Sequence, residues 1–434
     1  MKLKNRIKSK KLYEECLKVI PSGVNSPARS FSEVNTCPLV IDSAKGDLIF
    51  DVDGNSYIDF CGAWGSLIFG HCPDFVVQET IKQVKLGTSF GTVTPFEEKI
   101  ARLIVETYKS VDKVRFVSSG TEATMTAIRI ARGYTGKKLI VKFSGNYHGH
   151  NDCLLMESGS SASDLDVTAT SSGIPVEVIS NTISLDYNNL SQLETFFDSE
   201  KSDQIAAVII EPIAGNMGLI PAEKEFLSQL RYFCTKKESL LIFDEVITGF
   251  RASLEGAQGL YDIYPDITCF GKIIGGGFPA AAVGGKEQIM DVLAPKGKVF
   301  QAGTLSGNPV AMRAGYITLK ALLLDGIYEE LESKTKAFLK PIQEFIIEKD
   351  LLITINQIGS MFTIFFGSKN IRNKIDLNHL NNKLFKQFFL FMLEKGIYFP
   401  QSPYETSFVS IAHEEKSLLK TSEAILNFLK INYE

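Results

Sequence analysis

The sequence lacks the features that mark several common classes of protein. Its seven cysteines include no CxxC pair, which argues against a disulfide framework or a cysteine-based zinc site and favours a reducing compartment. Lys and Arg total 46 against 50 Asp and Glu, so no excess of positive charge favours nucleic acid or an anionic membrane as a partner. No stretch is apolar enough to span a bilayer, and the basic N-terminus is not followed by the apolar segment of a signal peptide. We therefore expect a soluble, cytoplasmic protein.

The sequence does contain a long central region in which apolar strands alternate with helical segments. The predicted buried strands are KVRFVSS, KKLIVKF, IAAVIIE, SLLIFDE and ITCF. Such near-continuous apolar runs suit a mostly parallel sheet with helices on both faces. Before this region, PLVIDSAKGDLIFDVDGNSYIDF predicts an antiparallel meander; after it come helices, a strand near GSMFTIFF and a final helix. We predict an α/β protein with a large domain over residues 75–320 and a smaller α+β domain built from residues 1–74 and 321–434.

The first candidate site follows a predicted strand and opens a helix, in the run SSGTEATMTAIRIARGY. In open α/β sheets, ligands bind beyond the carboxyl ends of the strands, so polar residues there are candidates. Ser119 and Glu122 have the spacing of a capping box, which by itself explains the pattern structurally. Gly120 and Thr121 add an accessible backbone, free amides and a hydroxyl at a helix N-terminus, which favour an anion such as phosphate. The two interpretations are compatible.

One lysine stands among apolar and small residues. Lys272 lies in ITCFGKIIGGGFPAAAVGG, next to Phe270, Ile273 and Ile274. Poor hydration lowers the pKa of an amine and makes it a better nucleophile and base. Asp244 ends an earlier apolar strand, and two adjacent strand ends can bring this carboxylate and the amine into one cleft. A lysine that merely extends its amine to solvent explains Lys272 but not the phosphate-type turn.

Two further strand ends carry aromatic, imidazole and hydroxyl groups. GNYHGHND holds His148 and His150, but no acidic or cysteine cluster accompanies this HxH pair, so no metal is predicted. Tyr147 in the same run can stack on a flat cofactor, and Thr304 in QAGTLSGNP can bind phosphate. The P-loop pattern GxxxxGK[ST] and a GxGxxG after the first strand are both missing. An anion site, an aromatic face, a carboxylate and a poorly hydrated amine together favour pyridoxal 5′-phosphate (PLP).

Taken together, these runs resemble the class III aminotransferases, which have the PLP-dependent transferase fold type I. The resemblance extends from about Tyr13 to the C-terminus, and residues 369–382 match poorly. It is carried by GVNSPARSF, FVSSGTEATMTAIRIARGYTG, NYHGHND, IIEPIAGNMGLIPA, LIFDEVITGFR, FGKIIGGGFP and QAGTLSGNP. The family implies PLP that interconverts with pyridoxamine 5′-phosphate, a small-molecule substrate and a homodimer. The order of GVNSPARSF, AGNMG and TLSGNP favours a branch that moves an amino group within one substrate.

The resemblance implies a role for each matching position. Lys272 would bind the cofactor covalently and carry protons, Asp244 would pair with the ring nitrogen, and Tyr147 would flank the ring as the third catalytic residue. The other implied cofactor-binding residues are Ser119, Gly120, Thr121, Asn216, Val246 and, from the partner subunit, Thr304; Glu211 lies nearby. The implied substrate-binding residues are Ser26, Arg29, Trp64 and Glu405. A mobile lid is implied at about residues 159–172, where Gly, Ser and Thr are frequent.

The sequence leaves more than one function open. Transfer of an amino group from C2 to C1 of one substrate would need no external donor, whereas a class III transaminase of a β- or ω-amino acid would need a 2-oxo acid. A non-catalytic PLP-binding regulator is a hypothesis of another class, although Lys272 and Asp244 are both present and no DNA-binding appendage is evident. Contact with an upstream reductase that supplies a labile aldehyde is a further open question.

Overall fold

The computed structural model describes residues 5–158 and 167–433. The chain divides into two compact units: Met1–Asp74, Gly326–Ile371 and Asp376–Glu434 form the first, and Phe75–Asp325 with Arg372–Ile375 form the second. Within the described ranges, no helix is both long and apolar enough to cross a membrane.

The strands of the described residues are β1 Ile41–Lys45, β2 Leu48–Asp51, β3 Ser56–Asp59, β4 Lys113–Val117, β5 Leu139–Phe143, β6 Met156–Ser158, β7 Val167–Ala169, β8 Thr182–Leu185, β9 Ile205–Ile210, β10 Ile213–Ala214, β11 Ile220–Pro221, β12 Leu240–Glu245, β13 Ile267–Phe270, β14 Ala281–Gly285, β15 Ile353–Ile358, β16 Met361–Phe366, β17 Ile397–Tyr398 and β18 Ser407–Phe408.

The α-helices are α1 Ile7–Val19, α2 Gly62–Gly65, α3 Asp74–Leu86, α4 Pro95–Thr107, α5 Gly120–Thr135, α6 Val176–Ile179, α7 Leu190–Phe197, α8 Lys224–Lys236, α9 Gly256–Tyr261, α10 Glu287–Met290, α11 Pro309–Leu322, α12 Ile327–Glu348, α13 Asn382–Glu394 and α14 Glu415–Tyr433. Short 3-10 turns add to these, and the one at Lys272–Gly275 matters for the site.

A seven-stranded sheet organises the second unit, in the order β4-β14-β13-β12-β9-β5-β8. Neighbouring strands are parallel except at β14, which is antiparallel to both β13 and β4. The five apolar runs predicted as buried strands all belong to this sheet, as β4, β5, β9, β12 and β13, so the predicted α/β class with a mostly parallel sheet is confirmed. The carboxyl ends of these five strands lie along one edge, where ligands of such sheets bind.

The strand β14 was not predicted, because its sequence AAVGG lacks the β-branched and aromatic residues that signal a strand. Close packing, rather than strand propensity, explains the glycines of β14. A Cβ atom on Gly284 would lie 2.8 Å from a methyl group of Val111, and one on Gly285 would lie 2.6 Å from the carbonyl oxygen of Asp266. Close approach of neighbouring chain segments therefore selects small residues at this position of the sheet.

The first unit contains two smaller sheets, β1-β2-β3-β17 and β15-β16-β18. The strands β1, β2 and β3 form the predicted antiparallel meander, and β16 and α14 are the predicted later strand and final helix. Phenylalanine dominates the core of this unit: Phe60 stacks on Phe399 with ring centroids 4.9 Å apart and on Phe338 at 5.4 Å. Such ring pairs add to the stability gained by burying their area.

Candidate active site

A cleft lies at the carboxyl ends of the sheet strands of the second unit, and encloses about 680 Å³ including its open mouth. The residues that line it come from five different loops or helix starts. They are Ser119, Gly120, Thr121, Thr124, Tyr147, His148, Gly149, Glu211, Asn216, Asp244, Val246, Ile247 and Lys272. The structure thus brings together eight of the nine residues that were predicted to bind a cofactor.

The start of helix α5 supplies the anion-binding end of the cleft. Ser119 is its N-cap, with the Ser119 hydroxyl accepting from the Glu122 amide at 3.2 Å and the Glu122 carboxylate accepting from the Ser119 amide at 3.1 Å. The predicted capping box is therefore present. It leaves Gly120 and Thr121 in the first turn of a 16-residue helix, where main-chain amides and the helix dipole favour a negative charge.

Hydrogen bonds join the loop after β5 to the N-terminal turn of α5. The Thr124 hydroxyl donates to the carbonyl of His148 at 2.7 Å, and the Thr121 hydroxyl accepts from the His150 amide at 3.3 Å. Gly149 has φ of +80°, and a Cβ atom there would lie 2.7 Å from the Cα of Thr121. Only glycine permits so close a contact at this dihedral angle. The loop therefore holds Tyr147, whose side chain is half exposed, at the cleft.

His148 and Asp244 form a buried pair on the floor of the cleft. The Nδ1 atom of His148 lies 2.8 Å from one carboxylate oxygen of Asp244, and the other oxygen accepts from the Val246 amide at 3.1 Å. Burial lowers the pKa of His148, although the Asp244 carboxylate opposes this effect. A neutral imidazole donates its single proton from Nδ1 to the carboxylate and so fixes the orientation of Asp244.

Lys272 lies in a strained backbone conformation directly after β13. Its φ is +47°, in the left-handed region, and it begins the 3-10 turn Lys272–Gly275. Non-glycine residues in this region cost about 1–3 kcal/mol and cluster at functional sites. Strands β12 and β13 are parallel, with Asp244 opposite Cys269, so Asp244 and Lys272 leave the sheet at the same edge. The lysine is partly buried and lines the cleft with Asp244.

Two glycines allow Val246 to project into the cleft. A Cβ atom on Gly120 would lie 3.3 Å from a Val246 methyl group, and one on Gly271 would lie 3.0 Å from it. The branched side chain of Val246 therefore packs between the start of α5 and the residue before Lys272. It gives the cleft an apolar surface in addition to that of Tyr147.

Glu211 is a buried carboxylate at the end of β9. Its side chain accepts hydrogen bonds from the amide of Tyr147 at 2.8 Å, the amide of Gly215 at 3.0 Å and the side-chain amide of Asn216 at 2.9 Å. Burial, and then the nearby charge of Asp244, raise its pKa to about 8, while the three donors act in the opposite direction. The carboxylate thus joins two loops that line the cleft.

Other predicted residues lie elsewhere. Thr304 is exposed and is not among the described residues that line the cleft; its predicted site is the partner's cofactor. The four residues predicted to bind substrate, Ser26, Arg29, Trp64 and Glu405, belong to the first unit, and their role stays a prediction. Of the predicted lid, residues 159–166 lie outside the described residues, which include β6 before them and β7 after them.

Sequence reasoning did not assign His148 or Thr124. In the sequence His148 is recognisable only as half of a possible metal-binding pair, but in the structure it faces Asp244 while His150 contacts Thr121. Among the residues described, no group of three or more His, Cys, Asp or Glu could hold a metal ion. The sequence shows only that a histidine follows a strand end, and this does not identify the residue that the histidine contacts.

The cleft fits PLP in the chemistry of its groups. The α5 start can bind a phosphate, Tyr147 and Val246 offer surfaces for a flat ring, Asp244 can hold a protonated ring nitrogen, and Lys272 supplies a primary amine. These groups and the sheet on which they stand define a PLP-dependent enzyme of fold type I.

Comparison with known proteins specifies the family. The family model described as Aminotransferase class-III matches residues 30–411, and the chain belongs to this family. A relative from Protochlamydia amoebophila named glutamate-1-semialdehyde 2,1-aminomutase is 50% identical over 426 residues, 98% of this chain and 99% of the relative. A relative of the same name from Caldicellulosiruptor saccharolyticus is 50% identical and covers 98% of each chain. Among solved structures, an omega-transaminase from Sphaerobacter thermophilus matches with a TM-score of 0.89, 30% identity and 97% coverage of both chains.

Proposed function

We propose that this chain is an intramolecular aminotransferase, an isomerase that converts (S)-4-amino-5-oxopentanoate, or glutamate 1-semialdehyde, to 5-aminolevulinate for tetrapyrrole and porphyrin synthesis. The observation that carries the proposal is the presence of both Lys272 and Asp244 in the lining of one cleft, within a chain half identical over nearly its full length to relatives named for this reaction. The amino group moves from C2 to C1 of the same molecule, so no external amino donor is required.

The residues of the cleft have distinct roles in this proposal. PLP, when bound, supplies an electron-withdrawing ring that makes a neighbouring C–H bond of the substrate acidic. Asp244, fixed by His148, keeps the ring nitrogen protonated, and the amides at Gly120 and Thr121 bind the phosphate. The amine of Lys272 removes a proton from one carbon and returns it to another, which requires a general base within reach of both.

The proposal also includes the four residues to which the family resemblance gives a role in substrate binding. Arg29 would bind the substrate carboxylate by a bidentate ion pair, a geometry in which a lysine is a poor substitute. Ser26, Trp64 and Glu405 would line the same pocket. A lid over the site would retain the diamine intermediate, whose loss would leave the enzyme in the wrong form of its cofactor.

We propose further that the working form is a homodimer in which Thr304 reaches the partner's cofactor. Phe300 and Leu305, on either side of Thr304, expose 69% and 56% of their surface. Val93 exposes 83%, and its loop is joined to the same region by a hydrogen bond of 2.9 Å from the Asn308 side chain to the carbonyl of Thr88. Large apolar side chains grouped in this way favour contact with another chain.

A cytoplasmic location is part of the same proposal. The seven cysteines are all free thiols in the structure, and this state is stable in a reducing compartment. Transient contact with an upstream reductase that delivers the aldehyde also belongs to the proposal.

A class III transaminase acting on a β- or ω-amino acid is the second candidate, because the omega-transaminase from Sphaerobacter thermophilus has so similar a fold. The higher identity of the aminomutase relatives, 50% against 30%, favours the first candidate.

The product formed from glutamate 1-semialdehyde distinguishes the two candidates. The purified holoprotein, with no added 2-oxo acid or amino donor, should form 5-aminolevulinate in many turnovers, as followed by NMR. Strict dependence on 2-oxoglutarate or pyruvate would favour the transaminase. A holoprotein that binds PLP but converts no amine or aldehyde would favour a regulator.

A further inference from the structure

We propose that Glu211 is a positioning residue, which holds the Tyr147 and Asn216 sides of the cleft in place for the cofactor. This inference rests on the proposed use of PLP but adds a residue to which no role in the reaction has been given. The side chain of Glu211 is 3% exposed, and it contacts the two loops through its hydrogen bonds.

The backbone of Glu211 is itself rigidly held. Its amide donates to the side-chain oxygen of Asn146 at 2.9 Å, and its carbonyl accepts from the hydroxyl of Tyr187 at 2.9 Å. Asn146 directly precedes Tyr147, so two successive residues of the loop after β5 contact Glu211. A carboxylate mounted on a fixed backbone can transmit that rigidity to both loops.

The loop after β5 and the loop after Glu211 also contact each other, and this contact lies beside the hydrogen bonds of Glu211. Gly145 has φ of +84°, and a Cβ atom there would lie 2.3 Å from the sulfur of Met217. On one side of this contact Glu211 binds the amide of Tyr147, and on the other it binds the turn at Gly215 and Asn216. Loss of the carboxylate would leave three hydrogen-bond donors without their acceptor. It would also remove the hydrogen bonds that restrain the two loops on either side of the contact between Gly145 and Met217.

An ionised carboxyl group accepts these three hydrogen bonds more strongly than a protonated one, which also carries a proton that needs an acceptor of its own. The charged and titratable groups that face Glu211 are Asp244, Lys142 and the phenol of Tyr187. Because burial raises the pKa of Glu211 to about 8, this carboxyl group changes its state in the range in which enzymes are assayed. The stronger cofactor-binding form of the cleft should therefore be the high-pH form.

The test compares Glu211→Gln with wild type, using pyridoxamine 5′-phosphate as the probe. This probe forms no covalent bond with Lys272, so its binding is measured apart from covalent attachment and turnover. The glutamine places an NH2 group where one oxygen accepted, facing either Tyr147 or Gly215. We expect the Kd of pyridoxamine 5′-phosphate for Glu211→Gln to be about tenfold higher than for wild type at high pH, which corresponds to about 1.4 kcal/mol. The circular dichroism of the bound ring should change with it.

A matched control is Glu245→Gln, which alters a second buried carboxylate that accepts several hydrogen bonds but does not line the cleft. It should keep the Kd of wild type. The ratio of the two Kd values, Glu211→Gln over wild type, should also shrink toward one as the pH falls from about 9 to about 6.5, because wild-type Glu211 then becomes protonated.

Two outcomes would overturn the inference: an unchanged Kd and dichroism in a folded Glu211→Gln protein, or an equal loss in the Glu245→Gln control. If Glu211→Gln does not fold, Glu211→Asp retains the charge but shortens the reach, and its Kd should rise as well; a wild-type value would equally contradict the role. Failure to convert glutamate 1-semialdehyde would reject the proposed function without affecting these measurements.

Discussion

Asp244 and Glu245 are neighbours at the end of β12, but the carboxylate of Asp244 faces the cleft whereas that of Glu245 is hydrogen-bonded within the interior of the unit. Successive side chains of a strand point to opposite faces, so the two acids enter different surroundings. Asp244 lines the cleft and has His148 as its side-chain partner. Glu245 is fully buried and accepts from the amides of Ala257 and Gln258 and from the Thr248 hydroxyl.

The difference shows what makes a buried carboxylate available for chemistry. Four hydrogen bonds, from the Thr248 hydroxyl and from Ala257 and Gln258 of α9, occupy both carboxylate oxygens of Glu245, so none of its capacity is left for a ligand. Asp244 keeps an orientation fixed by one imidazole and one main-chain amide while it faces an open cleft. Substitutions on the cleft side should therefore affect catalysis, and substitutions behind it should affect stability.

The largest expected effect on the cleft side is that of Lys272→Ala. Removal of the amine takes away both the covalent anchor and the base, so turnover should fall by roughly four orders of magnitude or more. Steady-state assays with glutamate 1-semialdehyde give the rate, and the melting temperature should stay near that of wild type. A variant with more than a few per cent of wild-type activity would exclude this lysine from the chemistry.

Asp244→Asn should come next. The amide has nearly the same shape but cannot keep the ring nitrogen protonated. Breaking a buried charge pair costs about 3–5 kcal/mol, which corresponds to roughly 200- to 5,000-fold in rate. The measurements are kcat and the absorbance of the bound cofactor. Near-normal turnover would show that the ring nitrogen has another partner, and the contrast with Glu245 would then disappear.

His148→Phe should have an intermediate effect. It occupies a similar space without donating to Asp244, so the carboxylate loses the partner that fixes its orientation. Loss of one hydrogen bond to a charged group is worth about 1.5–3 kcal/mol, which corresponds to about 10–100-fold in kcat. The pH dependence of kcat should also change. An effect on the melting temperature alone, at unchanged kcat, would make His148 a structural residue only.

Glu245→Gln should reverse the pattern. Because its partners lie in the body of the unit, we expect a loss of about 1–3 kcal/mol in the free energy of unfolding, measured with denaturant. The kcat of the folded fraction should stay within about twofold of wild type, a change of about 0.4 kcal/mol in the activation barrier. A large fall in kcat at unchanged stability would be the opposite of what the geometry implies.

The last prediction leaves turnover aside and concerns the slope of stability with pH. Glu211 has its pKa raised from 4.5 to about 8, so the native state binds more protons than the unfolded chain between these values. Its contribution to stability is fully present below 4.5 and is lost as the pH rises to about 8. The melting temperature of Glu211→Gln should therefore fall less over this range than that of wild type; identical profiles would mean that Glu211 does not titrate there.

Local patterns in the sequence were enough to predict the strand ends and most of the cleft. The apolar runs fix where β12 and β13 end, and Asp244 and Lys272 follow from those ends. The contact of His148 with Asp244 could not be predicted in the same way, because it joins loops that are distant in the chain and depends on the sheet order. The strand β14 was missed because packing against Val111 and Asp266 demands glycine there and overrides strand propensity.

The identity of the lysine that holds the cofactor tests the central claim most directly. Lys142 is an alternative candidate in the same unit, because burial lowers the pKa of its amine to about 8. However, this amine donates to the carbonyl of Leu154 at 3.0 Å, and Lys142 is not among the residues that line the cleft. Wild-type holoprotein should be reduced with borohydride, digested and mapped by mass spectrometry. The reduced cofactor should be found on Lys272; its presence on Lys142 or on any other lysine, with Lys272 unmodified, would contradict the assignment.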